Sequence, residues 1–291
     1  MTNADDIQTQ DIQTQDIQIQ DIQIQDIPAP ERPKSISNPR RRFIKKTGKK
    51  LLQTISRIQT KQSLVPTTSF IGIEHFDFLP QFAENWEKIR DEALEVLKYR
   101  DDIPGFEDVS PDQYRIAKKN QWKTFVLHGF GTRLEKNAEL APYTTKLLET
   151  IPNLQTSWFS ILAPGYHIPA HKGVTKGIVR GHLGLIIPKD YEKCRIRVGD
   201  VINPWQEGSL FVLDDTYDHE VWNETDEERV ILLFDWDRPM KFWGRFLNGL
   251  MMRAMKMTAY YQDPKKNLAD AEDRMEDAIK RAGVNMEKLG D

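Results

Sequence analysis

The rhythm of apolar and polar positions changes several times along this 291-residue chain. Between Phe82 and Lys98, residues Phe82, Trp86, Ile89, Ala93 and Leu97 share one face at helical spacing, which predicts an amphipathic helix. Residues 101–120, punctuated by Pro104, Gly105 and Pro111, read as loop. Trp122 to Leu127 alternates like a strand, and Pro142 suits the first turn of a short helix. From Ser157 to Trp236 the chain consists of short apolar runs (WFSIL, HLGLIIP, CRIRVG, SLFVLD, RVILLFDW) separated by turn residues. Such spacing, without helical crossovers, predicts an antiparallel all-β barrel or sandwich. After Pro239 the pattern is helical again, with Phe242, Phe246, Leu250, Ala254, Met257 and Tyr261 at three- or four-residue steps. The first expectation is that this face packs on the barrel; the other is a lid or a membrane-contacting helix with an adaptable Met-rich face. Residues 268–289 read as a charged, peripheral helix.

The N-terminal region obeys neither period. Residues 6–30 repeat a five-residue unit, DIQTQ twice, DIQIQ twice, then DIPAP. The unit is too short and polar to build a core, so residues 1–39 are expected to be a disordered low-complexity tail. Strand-like self-association of the Ile–Gln alternation is the lesser reading. Pro28, Pro30 and Pro33 stiffen the end of this tail. Residues 40–61 carry nine bases and no acid, with Leu52, Ile55 and Ile58 at helical spacing. Residues 40–68 therefore read as a basic amphipathic linker. It is either a plain solvated linker or a peripheral contact with an anionic membrane surface; no nucleic acid is expected. The domain boundaries predicted are 1–39, 40–68, 69–240 for the chemical domain, and 241–291 for C-terminal helices.

Cys194 is the only cysteine, which excludes an internal disulfide and fits a reducing compartment as a small buried hydrophobe. No apolar run approaches the roughly 20 residues needed to span a bilayer, and no secretory signal opens the chain. The expected location is cytoplasmic, at most peripheral to the inner face of a membrane.

Candidate chemistry centres on two histidines 48 residues apart. His171 lies in SWFSILAPGYHIPAHKG and His219 in FVLDDTYDHEVWN, with Arg180 and Arg229 nine and ten residues after them. Imidazoles without nearby thiols suit a redox iron or a zinc. Arginines aimed into one pocket suit a small dicarboxylate. His75, His128 and His167 read as satisfied core residues, and Trp158, Trp205 and Trp222 as core aromatics. Asp214, Asp215 and Asp218 either orient an imidazole or cap a turn.

The stretch from Trp122 to Pro239 resembles the aspartyl/asparaginyl β-hydroxylase family. The likeness rests on Ser160 four residues before Pro164-Gly165, His171 two before Gly173, Arg180-x-His182-Leu-Gly-Leu, Trp205 three before Gly208, DDTYDHEVWN, and Arg229 before a final strand. It implies a mainly β fold, the double-stranded β-helix or cupin-type jelly roll, with flanking helices. It also implies an iron(II)- and 2-oxoglutarate-dependent dioxygenase that uses O2 to hydroxylate an unactivated C–H. His171 and His219 match the family's iron ligands. Arg229 and Ser160 match the pair that grips the distal carboxylate of 2-oxoglutarate, and Arg180 and His182 match residues near its metal-proximal end. Most iron/2-oxoglutarate oxygenases carry a carboxylate two residues after the first histidine. Here that position is Gly173, as in this family, and the metal is expected to be held by two histidines. The expected substrate is the β-carbon of an Asp or Asn residue in a peptide or protein, as HEVWN suggests. The alternative is a fatty-acyl chain on a membrane lipid, suggested by NWEKIRDEAL at 85–94, DRPM at 237–240 and the basic flanks. A non-catalytic cupin-like binding protein is the third reading.

Overall fold

The computed structural model describes residues 54–113, 115–129 and 131–289. Eleven strands occur in it: β1 (Phe70–Ile71), β2 (Trp122–Gly129), β3 (Thr132–Arg133), β4 (Leu154–Leu162), β5 (His167–His171), β6 (Ile178–Ile186), β7 (Cys194–Val198), β8 (Val201–Pro204), β9 (Leu210–Leu213), β10 (His219–Asn223) and β11 (Arg229–Asp237). They form two sheets with the orders β1-β9-β6-β11-β4-β2-β3 and β5-β10-β7-β8. Pairing is antiparallel at each junction. From β4 to β11 the chain crosses between sheets at every connection except β7 to β8, which gives the double-stranded β-helix expected from the sequence. Gly165, at φ +67°, supplies the left-handed residue in the turn from β4 to β5.

The strand RVILLFDW reads as continuously apolar because β11 is covered on both faces. Val230, Leu232, Phe234 and Trp236 belong to one core with Phe82, Ile89, Ala93 and Val96. Ile231 and Leu233 belong to the other, with Ile196, Val198 and Val221 of the smaller sheet. The expected helix over 82–98 forms as α2 (Pro80–Glu84) and α3 (Trp86–Leu97), interrupted at Asn85, and Phe82 stacks on Phe234 with centroids 5.0 Å apart. The expected loop 101–120 contains α4 (Phe106–Val109). Between β3 and β4 lie α5 (Glu135–Leu140) and α6 (Pro142–Leu148), the latter begun by Pro142 as predicted.

Three sequence expectations change. The packed body begins before Ser69: the helix over residues 54–62, α1, buries Gln59, whose amide donates to Asn248 Oδ1 at 3.0 Å. The tail 1–39 and residues 40–53 lie outside the described residues. The C-terminal α8 (Ala259–Leu289) is not peripheral, because Leu268, Ala271, Met275 and Ala278 are buried and Met275 belongs to the main core. In α7 (Phe242–Lys256) the face expected to pack is the one left open. Phe242, Phe246, Leu250 and Met257 are exposed, while Gly244, Asn248, Met251 and Met252 are buried. The reason is the shape of the neighbour. A side chain at Gly244 would press on Gln62 and Met240, and the Gln59 amide requires a polar partner, which Asn248 provides. A narrow, partly polar seam accepts Gly, Asn and Met, and excludes the wide aromatic face.

Candidate active site

Antiparallel pairing of β5 with β10 sets His171 directly opposite His219, beside a register shift in β10. Their ring centroids are 4.1 Å apart. His171 Nδ1 donates to the Pro169 carbonyl at 2.8 Å, and His219 Nδ1 donates to the Tyr217 carbonyl at 3.0 Å. Each bond fixes the tautomer and leaves Nε2 as a bare lone pair, the form in which imidazole ligates a metal. Burial lowers the pKa of His171, with the charge of Arg180 adding to it. Burial and then the neighbouring His171 lower that of His219 to about 3. Both rings are therefore neutral near pH 7, as metal binding requires.

Gly173 lies two residues after the first imidazole, and its amide donates to the Asp215 carbonyl at 2.7 Å. A Cβ added at Gly173 would overlap the Asp215 carboxylate. The space of a third protein ligand is thus filled by a carboxyl from another loop. Burial raises the Asp215 pKa to about 6, although Arg180 lies 3.5 Å away. Arg180 is clamped by Asp235, with Nε–Oδ1 2.7 Å and Nη2–Oδ2 2.9 Å, across the β6–β11 register.

A second cluster sits inside the barrel. Arg229 is only 2% exposed, lies over the Trp205 ring at 4.7 Å, and donates from Nη2 to Ser160 Oγ at 3.2 Å. Trp122 Nε1 donates to the same hydroxyl at 2.9 Å. Among the described residues Arg229 has no acidic partner, and its Nε has no hydrogen bond. Burial lowers its pKa to about 10. His182 is buried with neither ring nitrogen bonded among the described residues, 5.9 Å from Trp205 between centroids. Burial lowers its pKa, and the charges of Arg180 and Arg229 lower it further. A buried guanidinium with no acidic partner among the described residues, together with a hydroxyl and an unbonded imidazole, offers the chemistry to hold an anion.

A cleft of about 190 Å³ opens onto His171, Arg180, Asp215, His219 and Asp235. Its walls are Phe106, Val109, Ile116, Val126, Ile178 and Leu268, with Met255 of α7 at one side. Ser160, His182 and Arg229 do not line it. Of the sequence candidates, the structure therefore brings His171, His219 and Arg180 together at the cleft, and Ser160, His182 and Arg229 together in the interior. The charges of Arg180 and Arg229 both act on His182, which ties the two groups.

The three acids before His219 have separate fates. Asp214 pairs with Arg238 and Lys176 and accepts the Thr216 amide at 3.1 Å, a structural cap. Asp215 faces the cleft, and Asp218 pairs with Arg197. None orients an imidazole; backbone carbonyls do that. His128 is buried as expected, bonded to Ser157 Oγ at 3.2 Å, and also lines the cleft. His75 and His167 are not core residues: they lie at the surface beside Glu74 and Glu220. Trp205 is core, Trp158 is buried yet reaches the cleft, and Trp222 stacks on His167. Asp235 was hidden in an apolar run; its one signal is the presence of an acid in an otherwise apolar strand.

The profile described as aspartyl/asparaginyl beta-hydroxylase matches residues 83–239. An ornithine lipid ester-linked acyl 2-hydroxylase from Rhizobium tropici is 39% identical over 192 residues, covering 66% of this chain and 68% of that protein. The human aspartyl/asparaginyl beta-hydroxylase is 35% identical over 164 residues, 55% of this chain but 21% of that protein. The human aspartate beta-hydroxylase domain-containing protein 2 is 31% identical over 124 residues, 40% of this chain and 33% of that protein. Among solved structures, a cupin protein from Desulfovibrio desulfuricans aligns at 14% identity and a TM-score of 0.27, covering 41% of this chain and 85% of that one. With more than half of the chain matched by the profile, and the histidine pair held inside that match, the chain belongs to the aspartyl/asparaginyl beta-hydroxylase family of hydroxylases.

Proposed function

We propose that this protein is an iron(II)- and 2-oxoglutarate-dependent hydroxylase of a fatty-acyl chain on a lipid. The observation that carries the cofactor assignment is the donor set: two neutral imidazoles with bare Nε2 atoms, and a buried Arg229 that lacks an acid among the described residues. His171 and His219 would hold the metal. Arg229 and Ser160 would hold the distal carboxylate of 2-oxoglutarate, and His182 would face its other end. Iron(II), with 2-oxoglutarate and O2, supplies the oxidation of an unactivated C–H to an alcohol, releasing succinate and carbon dioxide. The residues supply placement. Asp235 holds Arg180 at the cleft, and the Pro169 and Tyr217 carbonyls hold both rings. The aromatic and aliphatic walls keep water from the reacting carbon.

The acyl substrate is supported by the apolar cleft walls and by the similarity to the Rhizobium acyl hydroxylase across two thirds of both chains. β-Hydroxylation of an Asp or Asn residue in a peptide is the second reading. It is supported by the human relative and by the polar part of the wall, Ser110, Gln113, Gln155 and Thr156. The test is succinate formation from 2-oxoglutarate, with iron loaded anaerobically and oxygen then admitted, in the presence of lipid extract or of Asp/Asn peptides. Mass spectrometry should find one added oxygen on an acyl chain, absent with His171→Ala and with His219→Ala. Oxygen on the peptide would select the second reading, and no turnover from iron-loaded protein with either would reject both.

A further inference from the structure

On α7, Phe242, Trp243, Phe246 and Leu250, with Met257 just beyond its end, keep between 56% and 79% of their surface open. Phe242 and Trp243 touch edge to face at 5.2 Å, and Trp243 meets Phe246 at 6.3 Å, so the aromatics form one patch rather than scattered side chains. Contiguous exposed apolar patches of this kind mark interaction surfaces. We propose that this face of α7 is a membrane-docking surface that enters the interfacial layer of a bilayer containing anionic lipid.

Charge selects that occupant. Residues 241–257 contain Lys241, Arg245, Arg253 and Lys256 and no acid. At about 100° per residue, Arg245 and Lys256 fall along one border of the aromatic face and Arg253 within it. A helix with aromatic residues on one face and cations at its edge lies in the plane of a bilayer surface, rings at the acyl boundary and cations among head-group phosphates. The neighbouring helix adds to the same sign. Helix α1 packs against α7 through Gln59, Ile55 and the Lys241 amide, which donates to the Gln62 carbonyl at 2.9 Å. Residues 40–53, immediately before it, hold seven more bases and no acid.

Two other occupants fit less well. A second copy meeting this face about a two-fold axis would set the basic borders against each other. The chain's own acidic repeat has isoleucines at 7, 12, 17, 19, 22, 24 and 27. At about 100° per residue these scatter around a helix, and strand alternation holds only within the pairs 17/19 and 22/24, which fall on opposite faces, so the repeat offers no continuous apolar stripe. Position also favours the bilayer. Met255 of the same helix lines the cleft, so docking through α7 sets the cleft beside the surface from which an acyl chain would come. The docking itself does not depend on that chemistry. Among the described residues no helix is long and apolar enough to cross a membrane, so this contact would be interfacial.

The test is co-sedimentation of the full chain with vesicles of phosphatidylglycerol and phosphatidylethanolamine, or of phosphatidylcholine alone. The comparison is a triple variant, Phe242→Ser, Trp243→Ser and Phe246→Ser. These side chains are exposed, so the variant should melt with the parent. Wild type should bind the anionic vesicles, weaken with salt, and lose at least about tenfold in partitioning in the variant. Turnover on detergent-dispersed substrate should be equal in both, so a failure of the hydroxylase reading stays separate from a failure of docking. Equal vesicle binding by both proteins, or none by wild type, would overturn the proposal. So would a wild-type dimer in sedimentation velocity that the variant splits, or a Trp243 already shielded from acrylamide without lipid, the mark of a face covered by the protein itself.

Discussion

Replacing Arg229 by Met should make the ligand-free protein more stable while removing its response to 2-oxoglutarate. The guanidinium is buried, and burial lowers its pKa to about 10, roughly 3 kcal/mol against the charged form. Linkage gives the sign. A base whose folded pKa lies below its unfolded one destabilises the fold at every pH below the folded value, and the cost fades only as pH rises above about 10. At pH 7.5 it is fully present. Met fills similar volume and carries no charge, but it forfeits the contact with Trp205, about 0.5–2 kcal/mol. Trp122 still satisfies the Ser160 hydroxyl at 2.9 Å. The net expectation is a gain of about 1–3 kcal/mol in urea unfolding, or a few degrees in melting midpoint. Saturating 2-oxoglutarate, with iron(II) and without oxygen, should reverse the order. At a hundred times Kd it stabilises wild type by about 2.7 kcal/mol and the variant by almost nothing. The reasoning fails if Arg229→Met loses 2 kcal/mol or more without ligand, or if 2-oxoglutarate raises both midpoints equally. Either would give Arg229 a structural role.

Three further outcomes rest on geometry. Gly173→Asp should lose activity rather than acquire a useful third ligand, because its Cβ would overlap the Asp215 carboxylate; the double variant with Asp215→Ala should bind more iron than Gly173→Asp alone, by metal analysis after desalting, and equal iron contents would refute the clash. Asp215→Asn should stabilise the ligand-free protein by about 1–2 kcal/mol at pH 7.5 and by nothing near pH 4. A carboxyl raised to about 6 costs stability above that pH and none below its unfolded value of 3.8, and the 15% of its side-chain surface left open discounts the full shift; a gain that is the same at both pH values would count against it. Met275→Ala should cost about 2–4 kcal/mol in thermal or urea unfolding, because Met275 is 3% exposed within the main core; a loss under 1 kcal/mol would return α8 to the periphery.

The strands were legible because each is short, apolar and bounded by turn residues, and β11 even announced its two covered faces by lacking alternation. The histidine pair was legible as chemistry. Its geometry was not, since a separation of 48 residues says nothing about register, and register is what sets His171 against His219. Asp235 escaped notice because its meaning lies across the sheet, opposite Arg180. Likewise the three acids at 214, 215 and 218 read alike in the sequence, and only their neighbours distinguish a cap, a cleft carboxyl and a surface ion pair.

The instructive reversal is α7. Helical periodicity reports that an apolar face exists, not what it meets. Core and bilayer reward the same spacing, and the decision rests on the opposite face. A core-packing helix should keep its large side chains inward and its polar ones outward. Here Gly244 and Asn248 are inward, set by contact with Gln62 and Gln59, while two phenylalanines and a tryptophan are outward. That inversion is costly for a helix that meets only water, and the cost is offset once the outward face has an apolar phase to enter. The same logic governs Arg229 and Asp215, charged groups whose burial opposes folding. In all three places local preference is violated at or beside the candidate site, where such violations are expected to serve function. The cleft joins two of them, because Asp215 and the histidines line it together with Met255 of α7.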